Sequence, residues 1–516
     1  MKRKSINTLS MILVGLLSFG LLSGCGGNSA AAPSDASPAK TEEKSDTLVI
    51  AMENEPPNLS GAEHNSQTAA YFNDLTYSTL FRNGVDLAPH PNLVESYEAI
   101  SDSEWTFTLK QGIKFHNGEE LTTADVKATL DYIKTCAETE QYSKSIGSVE
   151  IVDEHTFKIY TDGPQATLLG DLAYHSAVIL PKSLIESGHD FKKEPVGCGP
   201  YKFVEWIFGE KLTFEKFDDY FDKEHMPSIK NLEVRIIPEG STRSIALETG
   251  EADFIVEVPA TEIEKLRGNE NIVVLENSST MYNYLVLNTE KEPFNNPEIR
   301  RAINMAIDKE AVVMVADNGF GDVSVGQAPM GMLGSTENKA DTYNLEKAKE
   351  IFAAEGVDPS TIEFSIICSN DTRKRAAEVI QSNLAELGIN VAVESMDLAT
   401  YFSVTSEGNF TACISNWMTS DMILFLKGAL FSESINGSNR ARYNNPEFDA
   451  LLREAMVTLD VSEREKILTS AIEVLNETTA QIPLYQNKMF RAHKKDLEGV
   501  VVSPAGTMFF EDVSWK

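Results

Sequence analysis

An alternation of strand and helix patterns in residues 362–393 constrains the fold more than any other part of the sequence. Residues 362–367 and 389–393 are short apolar runs typical of buried strands, and residues 375–387 between them have a helical pattern that ends at Gly388. Two strands joined through one helix run parallel in the same sheet, because the helix returns the chain to the edge where the first strand began. The sequence therefore predicts a parallel α/β unit here.

The first half of the chain has a different pattern, which is rich in strands. Residues 47–52 form an apolar run that predicts a buried strand, and the run stops at the loop of residues 54–57. A helix is predicted from Ala124, with Thr122 or Thr123 as its cap. Three strand pairs are also predicted: residues 105–109 before the turn dipeptide Asn117-Gly118, residues 151–159, and residues 201–206 with 212–215.

Helical patterns become frequent in the second half. Residues 284–288 predict a strand, and residues 297–315 predict a helical segment that carries Arg300, Arg301 and Asp308 at polar positions. Because the parallel α/β unit follows in the same half, we expect this part of the chain to form a lobe of its own.

The N-terminus has the pattern of an export signal. Three basic residues precede an apolar stretch that ends near Leu22 and is shorter than the roughly 20 residues that span a bilayer. Residues 22–25, Leu-Ser-Gly-Cys, resemble the lipobox of bacterial lipoproteins, in which the cysteine is acylated. We therefore expect residues 1–24 to be a lipoprotein signal peptide, Cys25 to carry lipid, and the small and polar residues 25–46 to form a flexible tether.

The charge of the chain excludes one class of partner. The net charge is -33, and removal of a signal peptide with three cations and no anions changes it to -36. Nucleic acid binding needs a basic surface, so we expect no nucleic acid partner. The remaining chain of about 470 residues is long enough for two or three folded units.

Cysteines, histidines and catalytic motifs give little support for metal or enzyme chemistry. The four cysteines after Cys25 are widely spaced without a CxxC pair, which favours free or buried thiols and leaves a disulfide between two of them open. The eight histidines show no His-x3-His pair, so we expect no metal ligated by the protein itself and no cofactor. A nucleophile elbow, an HExxH motif and a phosphate loop are absent from the sequence, so we do not expect an enzyme.

Several sequence blocks, in this order along the chain, resemble the signatures of one known family. They are residues 95–98 with 107–126, residues 196–201, residues 246–253 and residues 300–309. On these blocks the chain resembles the family 5 extracellular solute-binding proteins, which serve ABC transporters that import peptides and nickel. The resemblance extends over nearly all of the chain after the tether.

The resemblance implies an α/β, two-lobed periplasmic-binding-protein-like fold of class II (cluster C), with an extra subdomain in the first lobe. The expected boundaries are residues 47–85, 180–280 and 485–516 for lobe I, residues 86–179 for the extra subdomain, and residues 281–484 for lobe II. In this architecture the ligand binds between the lobes, and a hinge motion encloses it.

The function implied by the resemblance is capture of a small polar solute outside the membrane. We expect a short peptide as the solute, delivered by a lipid-anchored monomer to an ABC permease and, through it, to the ATPase complex. Two alternatives stay open, namely a ligand-binding sensor and an importer component for a chelated metal such as nickel.

The resemblance also indicates candidate ligand contacts. Glu55 and Asn58 lie in the loop after the first strand, and Trp417 and Asp421 follow a strand of lobe II. A carboxylate at such a position can accept a hydrogen bond from a ligand ammonium group, and the bond is stronger where water is excluded. Glu55 as a solvated surface charge is the alternative.

Further candidates come from neighbouring segments of lobe II. Ser369, Asn370 and Arg373 follow the strand of residues 362–367, and Arg373 or Arg440 can hold a ligand carboxylate through two hydrogen bonds. Tyr284 and Tyr401 are candidates for stacking or donation. Surface ion pairs for the arginines and core packing for the tyrosines remain alternatives.

Overall fold

The computed structural model describes residues 46–324, 326–335 and 341–516. The predicted signal peptide, the lipid site at Cys25 and the tether up to residue 45 lie outside the described residues. Within the described ranges, no helix combines the length and the hydropathy needed to cross a membrane.

The described residues form a mixed α/β structure. Its strands are β1 (Thr47–Met52), β2 (Phe81–Asn83), β3 (Pro89–Pro91), β4 (Val94–Ala99), β5 (Glu104–Leu109), β6 (Ile146–Ile151), β7 (Thr156–Thr161), β8 (Tyr201–Ile207), β9 (Lys211–Lys216), β10 (Asn231–Ile236), β11 (Phe254–Ile255), β12 (Ile272–Leu287), β13 (Asp322–Val323), β14 (Glu363–Cys368), β15 (Asn390–Ser395), β16 (Ala412–Trp417), β17 (Ile482–Lys494), β18 (Leu497–Glu498) and β19 (Ser514–Trp515).

Its helices are α1 (Gln67–Thr76), α2 (Thr123–Ile133), α3 (Leu168–Asp171), α4 (Lys182–Ser187), α5 (Gly240–Thr249), α6 (Ile263–Arg267), α7 (Pro297–Met305), α8 (Lys309–Ala316), α9 (Leu345–Ala354), α10 (Asp371–Ala385), α11 (Leu398–Glu407), α12 (Met422–Ala429), α13 (Pro446–Val457) and α14 (Val461–Thr478).

Eleven strands form one central sheet in the order β15-β14-β16-β12-β17-β11-β1-β10-β9-β8, with β13 paired to β17 off this path. A separate four-stranded sheet, in the order β4-β5-β7-β6, is antiparallel throughout. β2 pairs with β3, and β18 pairs with β19, in two small ribbons.

Two long strands, β12 and β17, join the halves of the central sheet, and we call them the crossover strands. Residues 272–278 of β12 pair with residues 488–494 of β17, which also pairs with β11 in the first half. After a register shift between Ser278 and Tyr282, β12 pairs with residues 482–486 of β17 and with β16 in the second half. The ladder is therefore interrupted at the point where the chain passes between the halves.

Helices cover both faces of the second half of the sheet. Alternate residues of β12 enter opposite cores, with Leu285 and Leu287 on one face and Tyr284 and Val286 on the other. This period of two follows from the pleat of a strand. A sheet buried on both faces needs apolar residues at successive positions, which is why its strands read as continuous apolar runs in the sequence.

The four-stranded sheet has a core of its own. Phe107 and Phe157 stack with ring centroids 5.2 Å apart, and Phe115 is fully buried in the same cluster. Burying apolar area stabilises a fold by about 25 cal/mol per Å². Aromatic side chains contribute the largest areas, so these rings are a main source of stability for this part of the molecule.

Two backbone segments, residues 196–201 and the end of α1, approach each other closely. Residues 196–201 are one of the blocks on which the family resemblance rests. The Gly199 N–H donates to the carbonyl of Thr76 at 3.0 Å. A Cβ at Gly199 would lie 2.6 Å from the Leu75 carbonyl oxygen, and one at Gly197 would lie 2.2 Å from that of Thr76. Only glycine fits at these two positions, which explains the block as a signature of the fold.

Most of the predicted elements are confirmed. β1 has the predicted bounds, and β14 and β15 flank α10 and pair in parallel. The predicted strand of residues 284–288 is the end of the much longer β12, whose polar middle, residues 276–280, interrupts the apolar pattern. The segment of residues 105–109 does not form a hairpin across Asn117-Gly118, because β5 pairs instead with β4 and β7.

The predicted helical segment of residues 297–315 differs from the structure in its continuity and in the position of Arg300. It is two helices, α7 and α8, and Asp308 caps the second by accepting from the Ala311 N–H at 3.0 Å. Arg300 does not occupy a polar surface position, since its side chain is buried and donates to the carbonyls of Phe294, Thr478 and Thr479. These bonds satisfy the buried guanidinium and fasten α7 to the end of α14.

Candidate ligand-binding cavity

A cavity of about 790 Å³ lies between the four-stranded sheet and the second half of the molecule. One wall comes from β2, β3, β4, β5 and α3, and the other from residues 419–421 and the first turns of α12 and α14. Clefts of this size between two bodies are the usual sites for small ligands. We therefore treat this cavity as the candidate site.

The two walls touch directly at the rim of the cavity. The Ala166 N–H donates to the Met456 carbonyl at 3.0 Å, and the Asn83 amide donates to the Ser420 hydroxyl at 3.4 Å. These bonds join residues far apart in sequence, so the structure has the cavity in a closed arrangement.

Asp421 projects from the second wall as the N-cap of α12. Its Oδ1 accepts from the Leu424 N–H at 2.9 Å. Its Oδ2 faces the opposite wall, since a Cβ built at Gly170 would lie 3.8 Å from this oxygen. Burial raises the pKa of Asp421, while the hydrogen bond from Leu424 and the nearby Arg464 oppose the rise.

Asp171, at the end of α3, is a second carboxylate on the facing wall. Its side chain is buried, and its Oδ2 accepts from the Thr167 hydroxyl at 3.3 Å and from the Gln165 amide at 3.5 Å. Burial raises the pKa of Asp171 to about 8, and the negative charge of Asp421 adds to the rise. The raised pKa favours the protonated form of the Asp171 carboxyl group at neutral pH.

Aromatic rings make up much of the first wall. Tyr97 and Trp105 stack with centroids 6.4 Å apart, and Tyr142 and Tyr174 stack at 3.7 Å. Asn65 links the second pair to the loop after β1, because its amide donates to the Tyr142 hydroxyl at 3.0 Å and its Oδ1 accepts from the Tyr174 hydroxyl. Such rings offer flat apolar area and polar edges to a ligand.

Arg464 is the basic residue among the described lining residues. Its Nη1 donates to the carbonyls of Thr458 at 3.0 Å and Leu459 at 3.3 Å, and more weakly to that of Ala166 at 3.5 Å. Burial lowers the pKa of Arg464, and the negative charge of Asp421 opposes this. Its Nη1 therefore links the two walls, since Thr458 and Leu459 lie on one side and Ala166 on the other.

Of the predicted contact residues, Asp421 lines this cavity. The Glu55 carboxylate is instead occupied by the Trp206 indole N–H at 2.9 Å and the Gly209 N–H at 3.0 Å. The Asn58 side chain accepts from the Ser60 N–H at 2.9 Å and so closes its own turn. Neither Glu55 nor Asn58 is among the described lining residues.

Five of the predicted residues gather elsewhere, at the ends of β14 and β16. Arg373 donates to Asn416 at 2.7 Å and to the Ser369 hydroxyl, and Asn370 caps α10. Arg373 and Arg440 both lie over the ring of Tyr401, at 5.4 and 5.8 Å from its centroid. Both Nη atoms of Arg373 are bonded within the protein, whereas its buried Nε has no partner among the described residues. The role of these residues as ligand contacts stays a prediction.

The remaining two predicted residues are parts of the packing around α12. Tyr284 is buried and stacks on Tyr282 with centroids 5.2 Å apart. Trp417 covers Gly428, where a Cβ would lie 2.2 Å from the indole ring. Both rings lie behind the wall that carries Asp421.

Sequence reasoning missed Asp171, Tyr142 and Tyr174, which line the first wall. They lie in segments without an informative pattern, and α3 is only four residues long. Only the folded arrangement brings them opposite Asp421, so no local signal identifies them.

Cysteines and possible metal ligands add no second site. Cys136, Cys198, Cys368 and Cys413 are buried and free, so the disulfide left open by the sequence does not form. The parts of the chain that the structure describes contain no group of three His, Cys, Asp or Glu side chains arranged to hold a metal ion.

Comparison with known proteins agrees with the fold. The model of the bacterial extracellular solute-binding proteins, family 5 Middle, matches residues 88–433. Heme-binding protein A of Haemophilus influenzae is 29% identical over 537 residues, which cover 96% of this chain and 97% of that protein. Glutathione-binding protein GsiB of Salmonella paratyphi A is 28% identical over 85% of this chain and 89% of its own length.

A solved structure is similar over the same range. HbpA2 from Haemophilus parasuis superimposes with a TM-score of 0.84 at 28% identity, and covers 91% of this chain and 100% of its own. A two-lobed α/β scaffold with a cavity between its parts is that of an extracytoplasmic solute-binding protein of an ABC importer. The chain belongs to the bacterial extracellular solute-binding proteins of family 5. The predicted fold class and family are thereby confirmed.

The raised pKa of Asp171 predicts a pH dependence of stability. A carboxyl whose pKa is higher in the folded than in the unfolded state adds stability that is full at low pH and lost as the pH rises towards about 8. We expect Asp171→Asn to flatten this loss and to raise the free energy of unfolding at pH 9 by about 1–3 kcal/mol relative to the wild type.

Denaturant unfolding at pH 5, 7 and 9 measures the effect, with Asp190→Asn as the control because Asp190 is exposed and paired only with Lys193. Parallel pH profiles for the wild type and Asp171→Asn would contradict the account of this carboxyl group.

Proposed function

We propose that this protein captures a short peptide in the cavity and delivers it to an ABC permease and its ATPase. The observation that carries the proposal is Asp421, a carboxylate that projects from a helix cap into an enclosed space lined by aromatic rings. A peptide ammonium group is a matching donor, and the bond gains strength because the walls exclude water. A relative named for glutathione, which is itself a tripeptide, supports this ligand class.

The proposed lobes are those expected from the sequence. Lobe I comprises residues 47–85, 180–280 and 485–516, the extra subdomain residues 86–179, and lobe II residues 281–484. The interrupted pairing of the crossover strands between Ser278 and Tyr282 lies at the proposed boundary and supports a hinge there. A ligand that touches both walls favours the closed form only through contacts that the open form lacks.

The proposal includes the remaining expectations for the mature protein. We infer a monomer without enzymatic activity, held at the outer face of the cell membrane by lipid on Cys25. Its relatives are named as binding proteins, which supports the absence of turnover. Acyl chains contribute about 0.8 kcal/mol per buried methylene, so several of them suffice to anchor the protein.

The first prediction of this proposal concerns Asp421. We expect tripeptides with a free amino terminus to bind the full-length protein in detergent, and N-acetylated peptides to bind at least about 10-fold more weakly, because they lack the ammonium group. Asp421→Asn should remove this difference, whereas Asp190→Asn should retain it. Isothermal titration calorimetry measures all the affinities.

A ligand panel followed by thermal shift separates the alternatives. Stabilisation by peptides supports the proposal. Stabilisation by nickel with a small chelator alone would favour the metal importer, and stabilisation by sugars alone would contradict both.

The second prediction concerns the anchor. We expect Cys25→Ser to move the protein from the membrane fraction to the soluble fraction and to abolish labelling with palmitate, because the thiol is the acylation site. Cell fractionation followed by immunoblotting measures the distribution, and Cys136→Ser is the matched control because Cys136 is a cysteine of the folded body. Membrane retention of Cys25→Ser would refute the proposed anchor.

A further inference from the structure

The cavity has a marked excess of negative charge. Among the described lining residues, Arg464 is basic. Five others are acidic, namely Asp86, Glu98, Asp171, Asp421 and Asp460. The Nη1 of Arg464 donates its hydrogen bonds to backbone carbonyls. The described lining therefore carries more acidic than basic side chains, and the Nη1 of its arginine is already bonded to the protein.

These acids do not contribute equally to the selection of a ligand by charge. Asp86 lies at the exposed rim beside His90, at 3.0 Å, and Asp460 caps α14 by accepting from the Glu463 N–H at 2.8 Å. Water screens charges at the rim, whereas buried charges keep most of their interaction energy. The selection of a ligand by charge thus depends mainly on the enclosed pair, Asp171 and Asp421.

The two enclosed carboxyl groups come from opposite walls. The Oδ2 of Asp421 faces Gly170, the residue before Asp171, which brings the two side chains to the same part of the cavity. Neither forms an ion pair in the described part of the chain. Thr167 and Gln165 bond to Asp171, the Leu424 N–H bonds to Asp421, and the charges of Lys427 and Arg464 act on them only through space.

We propose that the cavity selects peptides whose first residue is basic, with the α-ammonium group at Asp421 and the side-chain cation at Asp171. This inference rests on the proposed function, because it assigns a class of peptide to the same site. One basic first residue carries two cations, one for each of the two carboxyl groups on the facing walls. The aromatic rings of the first wall lie beside its aliphatic stem and favour the cation further.

The same arrangement disfavours ligands that carry surplus negative charge. Glutathione has two carboxylates and one ammonium group, and heme has two propionates, so both place anions against the enclosed carboxyl groups. The negative charge of Asp421 repels such an anion, and repulsion between like charges is stronger at a partly buried site than in open water. This chain should therefore differ in ligand from the relatives named for those two molecules.

Titration calorimetry with Lys-Ala-Ala, Ala-Ala-Ala, Glu-Ala-Ala and glutathione tests the proposal on the full-length protein. We expect Lys-Ala-Ala to bind at least 10-fold more tightly than Ala-Ala-Ala, and Glu-Ala-Ala and glutathione to bind more weakly than both. Asp171→Asn should reduce the preference for lysine over alanine towards 1, while Asp190→Asn keeps it. Circular dichroism confirms that each variant is folded.

A second readout follows the proton on Asp171. At pH 7 the cation of Lys-Ala-Ala should displace this proton, so the measured binding enthalpy should differ between phosphate and Tris buffers by up to one proton released. Asp171→Asn should show no such difference. A purely structural Asp171 would leave proton release unchanged in the variant.

The outcomes separate this inference from the proposed function. If all three peptides bind with similar affinity, or if Glu-Ala-Ala or glutathione binds most tightly, the selection for a basic first residue is wrong while peptide capture stands. If no peptide binds, both fail.

Discussion

The crossover strands are the constraint on which the rest of the structure depends. β12 and β17 belong to both halves of the central sheet, and their pairing is interrupted between Ser278 and Tyr282. Hydrogen-bonded ladders on either side make each half rigid, and packing to high density on both faces resists deformation within a half. Relative motion is therefore concentrated where the ladder is broken.

In the proposed hinge motion, the two walls of the cavity move with respect to each other. The four-stranded sheet has its own aromatic core, and the segment of Asp421 is fixed to a helix that packs on the second half of the central sheet. Their direct contacts are few, such as the Ala166 to Met456 hydrogen bond. A small number of bonds is easily exchanged for contacts with a ligand, which is what a binding protein that opens and closes requires.

Two facing carboxyl groups, those of Asp171 and Asp421, determine the electrostatics of the cavity. A buried carboxyl group without a cationic partner destabilises its charged form, and two of them facing each other do so further. The protein tolerates this arrangement by keeping a proton on Asp171, whose pKa is raised to about 8. In our proposal a ligand cation offsets this penalty, and the same two carboxyl groups supply the selectivity of the site.

The sequence predicted the scaffold far better than the site. Runs such as residues 47–52 and 362–367 identify strands because both faces of the sheet are apolar, and Gly197 and Gly199 mark a backbone contact that no other residue permits. Asp421 was found because it lies next to a recognisable strand end. Asp171 and the tyrosines of the first wall cannot be identified from sequence, because they become site residues only through the wall that the folded chain places opposite them. Glu55 shows the converse, as a loop acid whose partners are Trp206 and Gly209 of the protein itself.

The distance across the cavity tests the central claim most directly. Spin labels at Ser101→Cys, on the turn between β4 and β5, and at Lys466→Cys, on α14, report it by double electron–electron resonance, because the other cysteines of the folded body are buried. Our account predicts a broad distribution of longer distances without ligand and a narrow, shorter one with saturating Lys-Ala-Ala. A single distribution that does not change when peptide binds would contradict it.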